Sequence, residues 1–166
     1  AMGIPTESRF FGRETAQDLV GRGIKADLIV GNNVLAHVPD LNDFVSGLTI
    51  LLKPDGVISL EFPHLLRLIE GVQFDTIYHE HFSYFSLHAI ERVMNAHDLR
   101  IFDVKELPTH GGSLRVMACH KSADRATEDS VAAVRRSEEQ AGLNRIETYD
   151  RFADAVAHCK RSLLAF

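Results

Sequence analysis

The run Phe74-Asp75-Thr76-Ile77-Tyr78-His79-Glu80-His81-Phe82-Ser83-Tyr84-Phe85 sets four groups able to bind or move protons between two aromatic clusters. In an extended segment side chains alternate between faces, which predicts Tyr78 and Glu80 on one side and His79 and His81 on the other. General acid and base chemistry is the function such a set suggests. Two other readings stand beside it. Histidines among aromatic residues also serve as core residues whose ring nitrogens find partners. His-x-His on a strand also presents two imidazoles to a metal ion, with a further ligand required from a distant histidine such as His64 or His110. The only cysteines are Cys119 and Cys159, and the expectation is that no metal is held here.

The elements that position this run follow from periodicity and stop signals. Asp27-Leu28-Ile29-Val30 begins an apolar strand, Asp40 caps a helix in which Phe44, Val45, Leu48, Leu51 and Leu52 recur at helical spacing, and Lys53-Pro54-Asp55-Gly56 reads as a turn before the strand Val57–Phe62. Near-continuous apolar strands separated by helices imply a parallel sheet covered on both faces. Ser86 caps a helix striped by Leu87, Ile90, Val93 and Met94, a strand follows at Arg100–Val104, and Gly111-Gly112 supplies a turn into a strand over Ser113–His120. The last two strands are expected to form an antiparallel pair. From about Ala126 the chain is charged and alanine-rich, with Ile146, Tyr149, Phe152, Val156 and Leu163 at helical spacing and Gly142 as a break or kink.

With 166 residues, 45% of them hydrophobic, the chain is long enough to bury a sizeable core. The formal charge is −5, and residues 121–166 carry eight charges of each sign, so the acidic excess lies in residues 1–120. No basic surface is indicated, which argues against nucleic acid as a partner. No apolar run approaches the roughly 20 residues that cross a bilayer, and no secretory leader is visible, so a cytoplasmic location is expected. Ala1-Met2-Gly3 reads as a cloning remnant ahead of a start methionine.

Four spaced motifs agree with one another: Val30-Gly31-Asn32-Asn33-Val34-Leu35-Ala36-His37-Val38-Pro39-Asp40, Leu52-Lys53-Pro54-Asp55-Gly56, Phe74–Phe85, and His110-Gly111-Gly112-Ser113-Leu114-Arg115-Val116. Together they resemble the S-adenosylmethionine (SAM)-dependent C-methyltransferases that act on nucleotide-linked deoxysugars. The resemblance implies an α/β fold: part of a class I methyltransferase (Rossmann-like) sheet with a C-terminal antiparallel strand pair, followed by a long amphipathic helix. It also implies SAM as the cofactor. The Gly-rich loop after the first strand and the acidic residue ending the second would lie upstream of Ile4, as would the family's zinc-binding N-terminal domain. The expected division is therefore a truncated core over residues 1–125 and a helical connector over 126–166 toward a further domain.

Within that resemblance His81 is the first choice of general base, because histidine has a reference pKa of about 6.5 and works near neutrality. Tyr78 and Glu80 would orient the sugar or assist proton transfer, with His79 beside them. His37 follows an apolar strand at the edge of the sheet where open α/β folds bind ligands, a position for catalysis, substrate contact or a helix start. Asn32 and Asn33 would contact the methionine portion of SAM, or serve as turn residues at the strand end. His110, Gly111, Gly112 and Ser113 would bring backbone N–H groups to the ketone oxygen, or serve as a glycine-dependent hairpin turn.

The chain alone is expected to bind SAM poorly. A different class of function is an assembly module, or a sugar-nucleotide-binding module, that pairs with another chain. Ile4–Phe11, read as a strand without its usual neighbours, and the open edge at Leu28–Val30 predict self-association or repacking of the N-terminal segment onto that edge.

Overall fold

Asp40 opens the first helix that the sequence announces, and its carboxylate accepts the Asp43 N–H at 2.9 Å. In the computed structural model, which describes residues 3–166, this helix is α2, Leu41–Leu51. The remnant expected at Ala1 and Met2 lies outside the described residues. Four strands form one sheet: β1 (Ala26–Asn32), β2 (Leu52–Pro63), β3 (Leu99–Leu107) and β4 (Ser113–His120), in the order β1-β2-β4-β3. β1 and β2 are parallel, whereas β4 runs antiparallel to both of its neighbours. The expected antiparallel pair is present, and its second strand is central to the sheet.

Lys53-Pro54-Asp55-Gly56 does not separate two elements. β2 begins already at Leu52, and the register jumps from Ala26–Leu52 to Leu28–Val57, so this stretch bulges out of a continuous strand. Ile58, Leu60 and Phe62 of β2 and Leu114, Val116 and Ala118 of β4 point to one face and join Leu48 of α2 in the core. Each of the larger side chains contributes roughly 1.5–3 kcal/mol when fully buried. Helix α4 (Leu87–Ala96) closes this core through Ile90 and Met94, and Ser86 caps it by accepting the Ala89 N–H at 3.1 Å.

The opposite face differs from a sheet covered on both sides. Leu28 and Val30 of β1 are each 59% exposed, because no described helix packs over them. The outer edge of β1 is also unpaired among the described residues.

Ile4–Phe11 forms no strand. It leads as coil into α1 (Arg13–Gly21), of which Thr15 and Ala16 are buried. Phe11 stacks edge-on against Phe44, with ring centroids 5.5 Å apart. Gly47 permits this docking, since a Cβ there would lie 2.7 Å from the backbone of Gly12. The N-terminal segment is thus repacked on α2 and not on the β1 edge.

The C-terminal part is two helices, α5 (Asp129–Ala141) and α6 (Ile146–Leu164). Gly142, with φ 75°, takes the left-handed conformation that ends α5. Val131 and Val134 of α5 belong to the main core. α6 is held at its start, where the Tyr149 hydroxyl donates to the Leu143 carbonyl at 2.8 Å, whereas Leu163 and Leu164 at its end are exposed. The short α3 (Leu65–Glu70) leads into the loop bearing the proton-handling residues.

Candidate active site

The loop between α3 and α4 is not extended. A 3-10 turn covers Phe74–Thr76, and the His81 N–H donates to the Tyr78 carbonyl at 3.1 Å. This tight turn replaces strand alternation with stacking: Tyr78 and His81 share one side, their rings 4.5 Å apart, and His79 meets the other edge of Tyr78 at 6.3 Å. The pairing of Tyr78 with Glu80 on one face is therefore corrected. The loop is anchored by Phe82, whose N–H donates to the Ala36 carbonyl at 2.8 Å. That bond brings it against the 3-10 turn Leu35–His37 after β1.

The His37 and His81 rings lie 4.8 Å apart. His37 Nδ1 is 3.0 Å from the Glu80 carbonyl oxygen, and His81 Nδ1 is 2.9 Å from that of Thr76. A carbonyl accepts only, so each Nδ1 carries the hydrogen and donates it. In the neutral rings Nε2 is then left as the proton acceptor.

Opposite them, Asn33 and His110 meet with Nδ2 2.9 Å from Nε2. His110 stands on a 3-10 turn, Thr109–Gly111, between β3 and β4. Asn33, His37, Pro63, Thr76, Tyr78, His81 and His110 line a cavity of about 150 Å³ at the carboxyl ends of β1 and β2. In open α/β sheets this is where ligands bind.

Beneath the cavity Glu61 of β2 is 5% exposed. Its carboxylate accepts from Arg115 Nη2 at 2.7 Å and from the Thr109 hydroxyl at 3.0 Å, while its carbonyl accepts the Asn33 N–H at 2.8 Å. Burial pushes the Glu61 carboxyl up, but the Arg115 and Thr109 hydrogen bonds and the charge of Arg115 outweigh it and hold the group below its ordinary value. Glu61 therefore supports Asn33 through its backbone carbonyl and the turn that bears His110 through its ionised carboxylate.

Of the residues singled out in the sequence, Asn33, His37, Tyr78, His81 and His110 are brought together. Glu80 contributes its backbone carbonyl to His37. His79 and Asn32 are exposed and lie outside the cavity lining. The Gly112 N–H is spent on the Thr109 carbonyl, the Gly111 carbonyl accepts from Gln73, and the buried Ser113 hydroxyl donates to the Thr109 carbonyl. These three residues shape the turn, and the Gly112 N–H is not aimed at a ligand. Sequence reasoning missed Glu61, though a carboxylate within Ile58-Ser59-Leu60-Glu61-Phe62 was a signal. His64, named in the sequence as a possible distant metal ligand, is buried against Glu138. Among the described residues no three His, Cys, Asp or Glu side chains form a metal-binding group, and no helix is long and apolar enough to cross a membrane.

A mixed sheet flanked by helices, with a cavity at the carboxyl ends of its parallel strands, defines an α/β protein. Residues 6–104 match the family model described as a methyltransferase domain, and residues 108–166 match that of a C-methyltransferase C-terminal domain. The chain belongs to the methyltransferase-domain family. It is 38% identical over 151 residues to the C-methyltransferase NovU of Streptomyces niveus, an alignment covering 91% of this chain and 36% of that protein. The chain thus spans little more than a third of this relative's length.

Solved structures similar to it include the magnesium protoporphyrin IX methyltransferase of Synechocystis (17% identity, TM-score 0.47, covering 59% of this chain and 46% of that one). Another is a complex of the Haloferax volcanii Trm112 methyltransferase activator with a methyltransferase (10% identity, TM-score 0.49, 58% and 54%). The second matched region begins at residue 108 and includes β4, which lies between β2 and β3. The two matched regions therefore share one sheet, to which the second contributes β4.

Proposed function

We propose that this chain is the central part of a longer C-methyltransferase and that its cavity prepares the carbon beside a ketone, on a nucleotide-linked deoxysugar, for methylation. The observation that carries the reading is the Nδ1 contact of His81 with the Thr76 carbonyl, which leaves Nε2 as a base at the cavity wall. The 38% identity to a C-methyltransferase supports the reaction class. SAM, when bound, supplies an electrophilic methyl group.

His81 Nε2 takes the proton from the carbon next to the ketone, and the C–H electron pair passes into an enolate whose carbon forms the new bond to the methyl group. Bound SAM would supply that methyl group and retain on its sulfur the electron pair of the broken bond. Tyr78, stacked on His81, holds the base and faces the sugar. His37 buttresses the other side of the His81 ring and offers a second acceptor.

Asn33 fits the methionine end of SAM, because its Oδ1 is buried without a hydrogen-bond partner and would accept from a cationic amino group. Neither a Gly-rich turn nor a ribose-binding carboxylate accompanies it in this sequence. The isolated chain should therefore hold SAM weakly.

His81→Gln in the longer protein tests the assignment. We expect methyl transfer to a nucleotide-linked keto-deoxysugar to fall about 10²–10⁴-fold, as for loss of a general base, with KM little changed. A variant as fast as the parent would remove His81 from this role.

A further inference from the structure

Helix α5 turns Val131, Val134 and Glu138 to the core at helical spacing, and the third of these is a carboxylate where an apolar residue belongs. Glu138 is 3% exposed. Burying a charge is costly unless it is paired and hydrogen-bonded, and the partners of this one are informative. Oε1 accepts from His64 Nε2 at 2.8 Å and from the Leu87 N–H at 2.5 Å, and Oε2 accepts the His88 N–H at 3.0 Å. Ser86 already satisfies the Ala89 N–H, so Glu138 completes the cap of α4, where helix geometry favours an anion.

These donors come from the two stems of the loop that bears Tyr78 and His81. His64 closes β2 and precedes α3, while Leu87 and His88 begin α4. The stems also touch each other: His64 and Phe85 form an isolated parallel bridge, in which the Leu65 N–H donates to the Phe85 carbonyl at 3.0 Å. The His64 N–H donates in turn to the Gly112 carbonyl at 3.0 Å, next to the turn of His110. One carboxylate therefore joins α5, the two stems and, through His64, the His110 turn. It comes from the region that matches the C-methyltransferase C-terminal domain.

We propose that Glu138 is a positioning residue: carried on α5, it clamps both stems of the 71–86 loop and so fixes the place of His81 in the cavity. Its bearing on catalysis rests on the role proposed for His81, whereas the clamp is read without any substrate.

Amide hydrogen exchange of the chain tests it at two reporters, the Leu65 N–H that bridges the stems and the Phe82 N–H that anchors the loop. In Glu138→Gln, which keeps the shape but offers one acceptor oxygen to three donors, both should exchange about tenfold to hundredfold faster. Val134→Ala, on the same face of α5, serves as the control. Once each variant's global stability from urea unfolding is subtracted, it should leave the two amides near parental rates. Equal acceleration in both variants, or parental rates in Glu138→Gln, would overturn the clamp. Should Glu138→Gln fail to fold, Glu138→Asp, which keeps the charge but draws it back by one methylene, is read at the same amides with the same two outcomes. Failure of the sugar reading would instead show as His81→Gln retaining methyl transfer while the clamp persists.

Discussion

Asn33 and His110, 77 positions apart, hydrogen-bond side chain to side chain at 2.9 Å, and both hold left-handed backbone, with φ of 54° and 52°. Asparagine enters this region more readily than most residues, whereas a Cβ without a polar group is penalised there by about 1–2 kcal/mol. Asn33→Gly and Asn33→Ala both remove the bond to His110, but only glycine relieves the backbone. In urea unfolding the alanine variant should therefore be less stable than the glycine variant by about 1 kcal/mol. Equal stabilities would mean that residue 33 leaves the left-handed region when its side chain is cut.

The two buried carboxylates predict how the fold meets acid. Glu61 and Glu138 are each pushed up by burial, yet Arg115 and Thr109 in one case, and His64 with the His88 and Leu87 amides in the other, pull them below the ordinary 4.5. A depressed folded-state value means that the unfolded chain binds protons more readily. The resulting stability is fully present above about pH 4.5 and is lost as pH falls through the lower folded values. Stability measured by urea between pH 6 and pH 3 should decline along this limb. Glu61→Gln should flatten it while lowering stability at pH 6, where Arg115 loses its charged partner. An unchanged acid limb in that variant would assign the loss to other groups.

Much of the sheet was legible because its signals are local. The Asp40 and Ser86 caps, the strand Ser113–His120 and the break at Gly142 each depend on a few adjacent residues. The stacking of Tyr78 on His81 was not legible, because a backbone turn at 78–81 and an anchor on Ala36, 46 positions upstream of Phe82, decide it. The convergence of Asn33, His37, Tyr78, His81 and His110 on one cavity was suggested only through the resemblance to the sugar C-methyltransferases, since no spacing in the sequence brings them together. The groups beneath the site could not: Glu61 and Glu138 look like ordinary acidic residues until Arg115 and His64 are brought to them by tertiary packing. Helix α1 was missed because its apolar face is short, Ala16 with the half-buried Leu19 and Val20, and because the segment ahead of it docks through a close approach of Gly12 to Gly47.

The two thiols should separate cleanly. Cys119 is buried on β4, where burial raises its pKa, while Cys159 on α6 is exposed. Only the thiolate reacts with a disulfide reagent. In native buffer one thiol should titrate quickly with an aromatic disulfide, and the second only on addition of denaturant. Cys159→Ser should remove the fast phase. Two fast thiols in the native chain would mean that β4 opens readily, against its central place in the sheet.

Among the described residues β1 offers a row of unpaired backbone groups along its outer edge and two large exposed apolar side chains, Leu28 and Val30, on one face. Such an edge pairs with whatever strand reaches it, and apolar side chains beside it reward the contact. In the isolated chain the available strand is that of a second copy, so the mass from light scattering should rise with concentration. Leu28→Lys with Val30→Lys places like charges on both copies of the contact and should return the chain to monomer. Because both positions are exposed, the two substitutions should change the unfolding free energy by no more than about 0.5 kcal/mol each. A chain that is monomeric at every concentration would show that the edge does not associate. If the double lysine variant associated as strongly as the parent, the contact would lie on another surface.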